Sequence, residues 1–392
     1  MALAREITQR IDDAVDAVAD DLRALALTIH AHPELRFEER RAAAWVAGAV
    51  RARGFAVEAP FGGLETALRA SAGSRGPTVA LLAEYDALPE IGHACGHNLI
   101  AAGAVGAFLA VASVVGEVGG TVQLLGTPAE EGGGGKQLLL DAGAFTGVDA
   151  AMMFHPFDRD LVAHPTLANL WLEMTFKGAP AHAAIAPWDG ASALTACLQT
   201  FSLIDAQRVH FRDGVRVHGY VTDGGQAVNI VPERAACEFS VRARDLAELA
   251  RVRAIVERCA RGAAMACGVE VELKARRGYK DVRTNPALAD AFAAHLADLG
   301  RASRHTDPSV GTGSTDMGDV SHAVPSIHAW LAICDAGEAL CHQRAFAAAA
   351  CSERGVATML TAAKAMARSA AEFLADPALR GRVAEGFAAG PT

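Results

Sequence analysis

The 392-residue sequence has no excess of basic residues: 36 Lys and Arg stand against 45 Asp and Glu, a formal net charge of −9. Nucleic-acid proteins usually show a basic face, so that class of partner is set aside. Charged residues are few, 21%, while hydrophobic residues make up 51%. That balance excludes a disordered chain and allows a large core. No basic segment followed by an apolar run opens the sequence, so no secretory signal is expected. There is no CxxC motif: Cys95, Cys197, Cys237, Cys259, Cys267, Cys334, Cys341 and Cys351 are scattered and read as reduced thiols of a cytoplasmic protein. No internal repeat, GxSxG elbow or GxGxxG turn after a strand is visible. A P-loop at Gly132–Lys136 fails as well, because Glu130 and Gln137 occupy positions that need Gly and Ser or Thr.

At about 100–200 residues per domain, the length suggests two domains or more. The uncharged run Leu99–Gly116 approaches the length of a membrane span. It is mostly Ala, Gly and Val, follows a polar, His-rich turn, and reads as a buried helix; no membrane partner is expected. Helical patterns cover Ile7–Ala31 and Glu38–Arg53, and apolar strands are expected at Thr78–Ala83, Thr121–Leu125 and Ala150–Phe154. This alternation predicts an α/β fold with a largely parallel mixed sheet flanked by helices. The texture changes near Pro165. Strands at Leu170–Phe176, Arg216–Val221, Ala236–Val241 and Val269–Lys274 interleave with helices at Ser192–Gln207 and Leu246–Cys267. Their order, β-α-β-β-α-β, is the ferredoxin-like pattern. The expected domains are therefore 1–165 and 278–392 as two parts of one catalytic domain, with 166–277 inserted. A helix at Asn285–Leu299, a polar loop at Gly311–Ser321, a strand at Ser326–Ile333 and one or two helices over Arg344–Ala375 complete the first domain; the last dozen residues read as a loose tail.

Chemistry concentrates at strand ends, where open α/β sheets bind ligands. His93-Ala-Cys-Gly-His-Asn98, Glu130-Glu131 and His155 each follow or end an expected strand, and His342 precedes the last long helix. A histidine at one strand end is usually an ordinary polar residue, and a Glu-Glu pair is usually a solvated turn. The conjunction of Cys, His and carboxylate at successive strand ends makes a metal site a serious alternative.

These residues sit in motifs that resemble the M20 metallopeptidase/amidohydrolase family: Asp86-Ala-Leu-Pro, Gly92-His-Ala-Cys-Gly-His-Asn98, Pro128-Ala-Glu-Glu-Gly132 and Phe154-His-Pro156. The likeness continues through Ala179-Pro-Ala-His-Ala183, Gly225-Gln-Ala-Val-Asn-Ile-Val-Pro232, Ser314-Thr-Asp316 and His342-Gln-Arg-Ala-Phe346, and so covers nearly the whole chain. The Cys-Gly-His form is similar to the aminoacylase-type branch, which includes auxin-conjugate hydrolases, p-aminobenzoyl-glutamate hydrolase subunits and the M20 domain-containing protein 2 dipeptidases.

The resemblance implies that Cys95, His97, Glu131, His155 and His342 bind one or two divalent metal ions, with zinc, manganese and cobalt all open. It makes Glu130 the general base and acid and Asp86 the orienting partner of a metal ligand. His182, in the inserted domain, would stabilise the oxyanion, reaching a site across a homodimer formed through that lid and dimerisation domain. Asn229 and Arg242 would hold a substrate carboxylate, though Arg242 can equally be a solvated charge beside Arg244. His328 is expected near the site without a role. Two departures stand out. Glu84-Tyr85-Asp86 replaces the His-x-Asp of many M20 peptidases, and Asn98 follows the motif His where auxin-conjugate enzymes carry Asp. The implied reaction is hydrolysis of a small-molecule amide: an N-acyl amino acid, a dipeptide or a related conjugate. The alternatives are an aminohydrolase releasing ammonia from an aryl or amidine C–N bond, and a non-catalytic subunit of a heteromeric hydrolase.

Overall fold

The computed structural model describes residues 3–390. Ten strands occur among them: β1 (Val57–Glu58), β2 (Leu68–Gly73), β3 (Thr78–Ala83), β4 (Thr121–Gly126), β5 (Ala150–Phe157), β6 (Ala168–Lys177), β7 (Arg216–Asp223), β8 (Arg234–Ala243), β9 (Glu270–Arg277) and β10 (Ser326–Ala332). Two compact units divide the chain, one of them the continuous segment Thr166–Asp281.

The larger unit holds a six-stranded sheet in the order β1-β2-β4-β3-β5-β10. Strands β4, β3, β5 and β10 run parallel, and β2 and β1 extend one edge antiparallel. Strand β3 explains why the sheet is covered on both faces. Its Val79, Leu81 and Ala83 belong to one apolar cluster with Phe108 and Val111, while Ala80 and Leu82 belong to another with Leu139 and Val320. A strand with no polar face must be buried twice, which is the habit of parallel sheets. The uncharged run is the helix His97–Val118, and 78% of its most apolar window is buried. Its small residues allow close packing: a Cβ on Gly103 would lie 2.6 Å from the Phe154 ring.

Several expected boundaries move. Ile7–Ala31 is two helices, Arg5–Asp16 and Ala19–Ala31. The loop expected over Gly311–Ser321 closes in a short helix, Met317–Ser321. The expected C-terminal tail is largely a helix, Pro377–Ala388. Asp376 Oδ1 accepts from the Ala378 amide at 3.0 Å, proline opens the first turn, and Leu379 and Val383 are buried in the main core.

The unit Thr166–Asp281 has a four-stranded sheet in the order β7-β8-β6-β9, antiparallel throughout. Strands β6 and β8 alternate buried and more accessible side chains, so one face packs on helices Ala193–Gln207 and Leu246–Cys267. Ser192 and Asp245 cap those helices through their side chains. The order and pairing are those of a ferredoxin-like unit.

Candidate metal centre

The parallel strands of the larger unit end together, and the loops that leave them carry the polar residues. Glu84, Tyr85 and Asp86 follow β3 directly and are all buried. His97 is the first residue of the helix that the loop leads into. Gly96 caps that helix at φ +76°, and a Cβ there would lie 2.7 Å from Cγ of Pro156. Only glycine brings the Cys95–His97 loop this close to the end of β5. His155 lies inside β5, beside Trp330 of β10 in register. Ala129 and His342 both hold positive φ, 62° and 69°, a cost borne by non-glycine residues mainly at functional sites.

The donor atoms of Cys95, His97 and His155 lie within 4.8 Å of one another, as do those of Cys95, Glu131 and His342, and of His97, Glu130 and Glu131. The ring nitrogens are oriented from behind. His97 Nδ1 donates to the Asp86 carbonyl at 2.9 Å and stands 3.0 Å from its carboxylate, while Asp86 Oδ2 accepts from the Glu131 amide at 2.8 Å. His155 Nδ1 donates to the Pro156 carbonyl at 2.7 Å. Each imidazole therefore presents Nε2 to the centre. Nε2 of His97 and Oε2 of Glu84 face each other at 3.5 Å, both buried and neither hydrogen-bonded. Unbonded buried polar atoms cost about 1–3 kcal/mol each. A divalent cation relieves that cost, and the mixed Cys, His and carboxylate set suits zinc or a similar metal. The residues present fit such an ion.

Charge follows geometry. Burial pushes the Asp86 carboxyl up, but the His97 ring and the Glu131 amide outweigh it and hold the group below its usual range. His155 is pushed down to about 4, first by burial and then by His97, so its ring is neutral. Burial, then Glu131, Glu84 and Asp316, raise the Glu130 carboxyl well above a normal glutamate.

Behind these groups lies a feature with no clear signal in the sequence. Lys136, fully buried, donates to Glu84 and to Asp316 Oδ1, the latter at 2.7 Å, and its amide donates to Asp316 Oδ2 at 3.0 Å. The partners are 52 and 180 residues away in sequence. Glu84 is thus the link between the ion cluster and the donors.

The remaining expected residues divide by unit. His328 is buried on β10, its ring centroid 5.4 Å from that of His155. His182, Asn229 and Arg242 belong to the unit Thr166–Asp281. His182 and Asn229 are exposed on neighbouring loops, with the Ala183 amide donating to the Asn229 carbonyl at 3.0 Å. Arg242 lies on β8, eight residues from Arg234 at the strand's start, roughly 26 Å along it. Within one chain it is therefore not beside Asn229, whose loop leads into that start.

The model of the family described as peptidase family M20/M25/M40 matches residues 80–372. The chain is 37% identical over 395 residues to the Xaa-Arg dipeptidase of Mus musculus, a match covering 96% of this chain and 90% of that protein. It is 34% identical over 317 residues to one of the p-aminobenzoyl-glutamate hydrolase subunits of Escherichia coli (strain K12), covering 76% and 66%. Among solved structures, a Bacillus subtilis protein described as a dinuclear metal binding peptidase of the M20 family is similar in fold, with a TM-score of 0.74, 23% identity and coverage of 92% and 99%.

Proposed function

The chain belongs to peptidase family M20/M25/M40, whose members here include hydrolases of amide and peptide C–N bonds, and from that premise we propose that it is a metal-dependent amidohydrolase of dipeptides and related N-acyl amino acids. The observation that carries this reading is that Cys95, His97, Glu130, Glu131, His155 and His342 form three overlapping triads, each with its donor atoms within 4.8 Å of one another. Those five residues would hold one or two divalent ions, which when bound supply an acidified water and polarise the scissile carbonyl. Asp86 fixes the His97 ring and the Glu131 backbone, so two donors are set by one carboxylate. Glu130 takes the proton of the attacking water and returns it to the departing nitrogen; its raised proton affinity suits both transfers. Glu131 then has only to bind metal. His182 stabilises the developing oxyanion, and Asn229 and Arg242, too far apart within one chain to share a ligand, serve the substrate carboxylate from different protomers of the dimer.

The likeness to an Xaa-Arg dipeptidase over nearly the whole chain makes dipeptides ending in arginine the first substrates to test. The unit Thr166–Asp281 serves as lid and dimerisation domain in this reading. Its exposed Trp188, Val209, Tyr220 and Val228, together with the open edge of β7, support a homodimer. A metal-ligating thiol at Cys95 suits a reducing compartment, the cytoplasm.

The test is metal content of protein purified without chelator, paired with a ninhydrin screen of Xaa-Arg dipeptides, N-acyl amino acids and p-aminobenzoyl-glutamate. Bound metal with amino-acid release that Glu130→Ala abolishes supports the reading. Bound metal with ammonia release alone replaces it with an aminohydrolase. Failure to bind any added divalent ion favours a non-catalytic subunit.

A further inference from the structure

The Cys95 thiol has a second sulfur beside it. Cys341 precedes His342, whose amide donates to the Ala94 carbonyl at 3.0 Å. That bond ties the loop of Cys95 to the loop of Cys341 one residue from each cysteine, and so brings the two side chains within reach of each other, as a disulfide requires. The Cys341 thiol is also the neighbour that acts most strongly on the Cys95 thiol, ahead of burial. Cys95 is buried, whereas Cys341 is partly exposed and next to His342, whose side chain is 60% exposed. A small solute can therefore reach Cys341 first. The other thiol pair, Cys197 with Cys237, is sealed in the core of the unit Thr166–Asp281.

We propose that Cys95 and Cys341 are an oxidisable pair, and that a hydroperoxide converts them to a disulfide that withdraws a donor from the metal centre. The first part stands on the pairing of the two residues; the second rests on the reading of Cys95 as a metal ligand. Cys341 sulfur attacks the peroxide: an S–O bond forms, the O–O bond breaks, and an alcohol leaves (water, for hydrogen peroxide). Cys95 sulfur then attacks the sulfenic acid. The S–S bond forms, and the hydroxyl leaves with the Cys95 proton as water. Two thiols and one hydroperoxide give one disulfide, one alcohol and one water. A sulfur committed to a disulfide cannot donate as a thiolate, and a metal on Cys95 withholds it from oxidation. Oxidation and metal loading thus exclude each other.

The experiment treats full-length protein, metal-free or loaded with zinc, with a small excess of hydrogen peroxide. Thiol titration, peptide mapping and zinc calorimetry follow. The expected result for metal-free protein is loss of two of the eight thiols, with a Cys95–Cys341 linked peptide. Zinc affinity then falls by at least about tenfold and returns with dithiothreitol. Zinc-loaded protein forms the link at least about tenfold more slowly. Cys341→Ser keeps its zinc affinity and forms no link. Absence of the link, or a Cys197–Cys237 link in its place, overturns the thiol pair. A link that leaves zinc affinity unchanged overturns the coupling and, with it, the assignment of Cys95 as a donor.

Discussion

Replacing Lys136 by Met keeps nearly the same side-chain volume but leaves Glu84 and Asp316 buried without their cation. Lys136, Glu84 and Asp316 are all fully buried. Removing one partner of such a pair costs about 3–5 kcal/mol, because a charge is left unpaired in a poor solvent for it. For a unit of this size about 2–4 °C of melting temperature goes with each kcal/mol, so Lys136→Met should melt roughly 6–20 °C lower. The deficit should depend on pH. Asp316 is pushed up to about 6, first by burial, even with Lys136 in place. A carboxyl raised above its unfolded value favours the folded state at low pH, and loses that contribution as pH rises through the folded value. Without the lysine this rise is larger, so the gap between variant and parent should be wide at pH 8 and narrower at pH 5. The assay is thermal and urea unfolding of metal-free protein at both values. Neutralising all three residues (Glu84→Gln, Lys136→Met, Asp316→Asn) should recover much of the loss. A Lys136→Met shift below about 2 °C, or a deficit equal at both pH values, would refute the reasoning.

Asp86→Asn should weaken metal binding about 10–100-fold in calorimetry, since Asp86 orients both the His97 ring and the Glu131 amide; unchanged affinity counts against that role. Glu39 is pushed up to about 7, first by burial and then by Asp86. Its contribution is present below its unfolded value and lost as pH rises through 7, an effect on the order of 2 kcal/mol. Glu39→Gln should therefore flatten the pH dependence of stability of metal-free protein between pH 5 and 8, and urea curves parallel to the parent's would contradict this. Gly96→Ala should destabilise by at least about 1–2 kcal/mol from its left-handed backbone. It should also lower metal affinity by displacing Pro156 next to His155, and an alanine variant with parental affinity would show that this close approach does not set the site.

Elements whose residues declare their own environment can be read from the sequence. Thr78–Ala83 is apolar throughout, and the structure has a strand over the same residues with the helix His97–Val118 after it. The long helix Leu246–Cys267 also keeps its expected ends, fixed by Asp245 before it and Gly268 after it. Edge structure is harder to read. β1 has two residues, and β2, Leu-Arg-Ala-Ser-Ala-Gly, has no strong strand pattern; both form by pairing with a neighbour. The helix Pro377–Ala388 passes for a tail because Leu379 and Val383 are too sparse to announce a buried face. In the site, donor types cluster at strand ends and are visible as motifs. The Glu84–Lys136–Asp316 cluster is not, since the two carboxylates lie 52 and 180 residues from the lysine and only the fold brings them to it.

The most direct measurement is a titration of metal-free protein with zinc, manganese and cobalt in turn, following bound metal and arginine release from an Xaa-Arg dipeptide in the same samples. Wild type and Glu130→Gln are run side by side. Release should rise with occupancy and saturate at one or two ions per chain. Glu130→Gln should bind the same amount and release arginine about 10²–10⁴-fold more slowly. Release that is independent of metal, or that Glu130→Gln sustains at the wild-type rate, would contradict a metal centre served by Glu130.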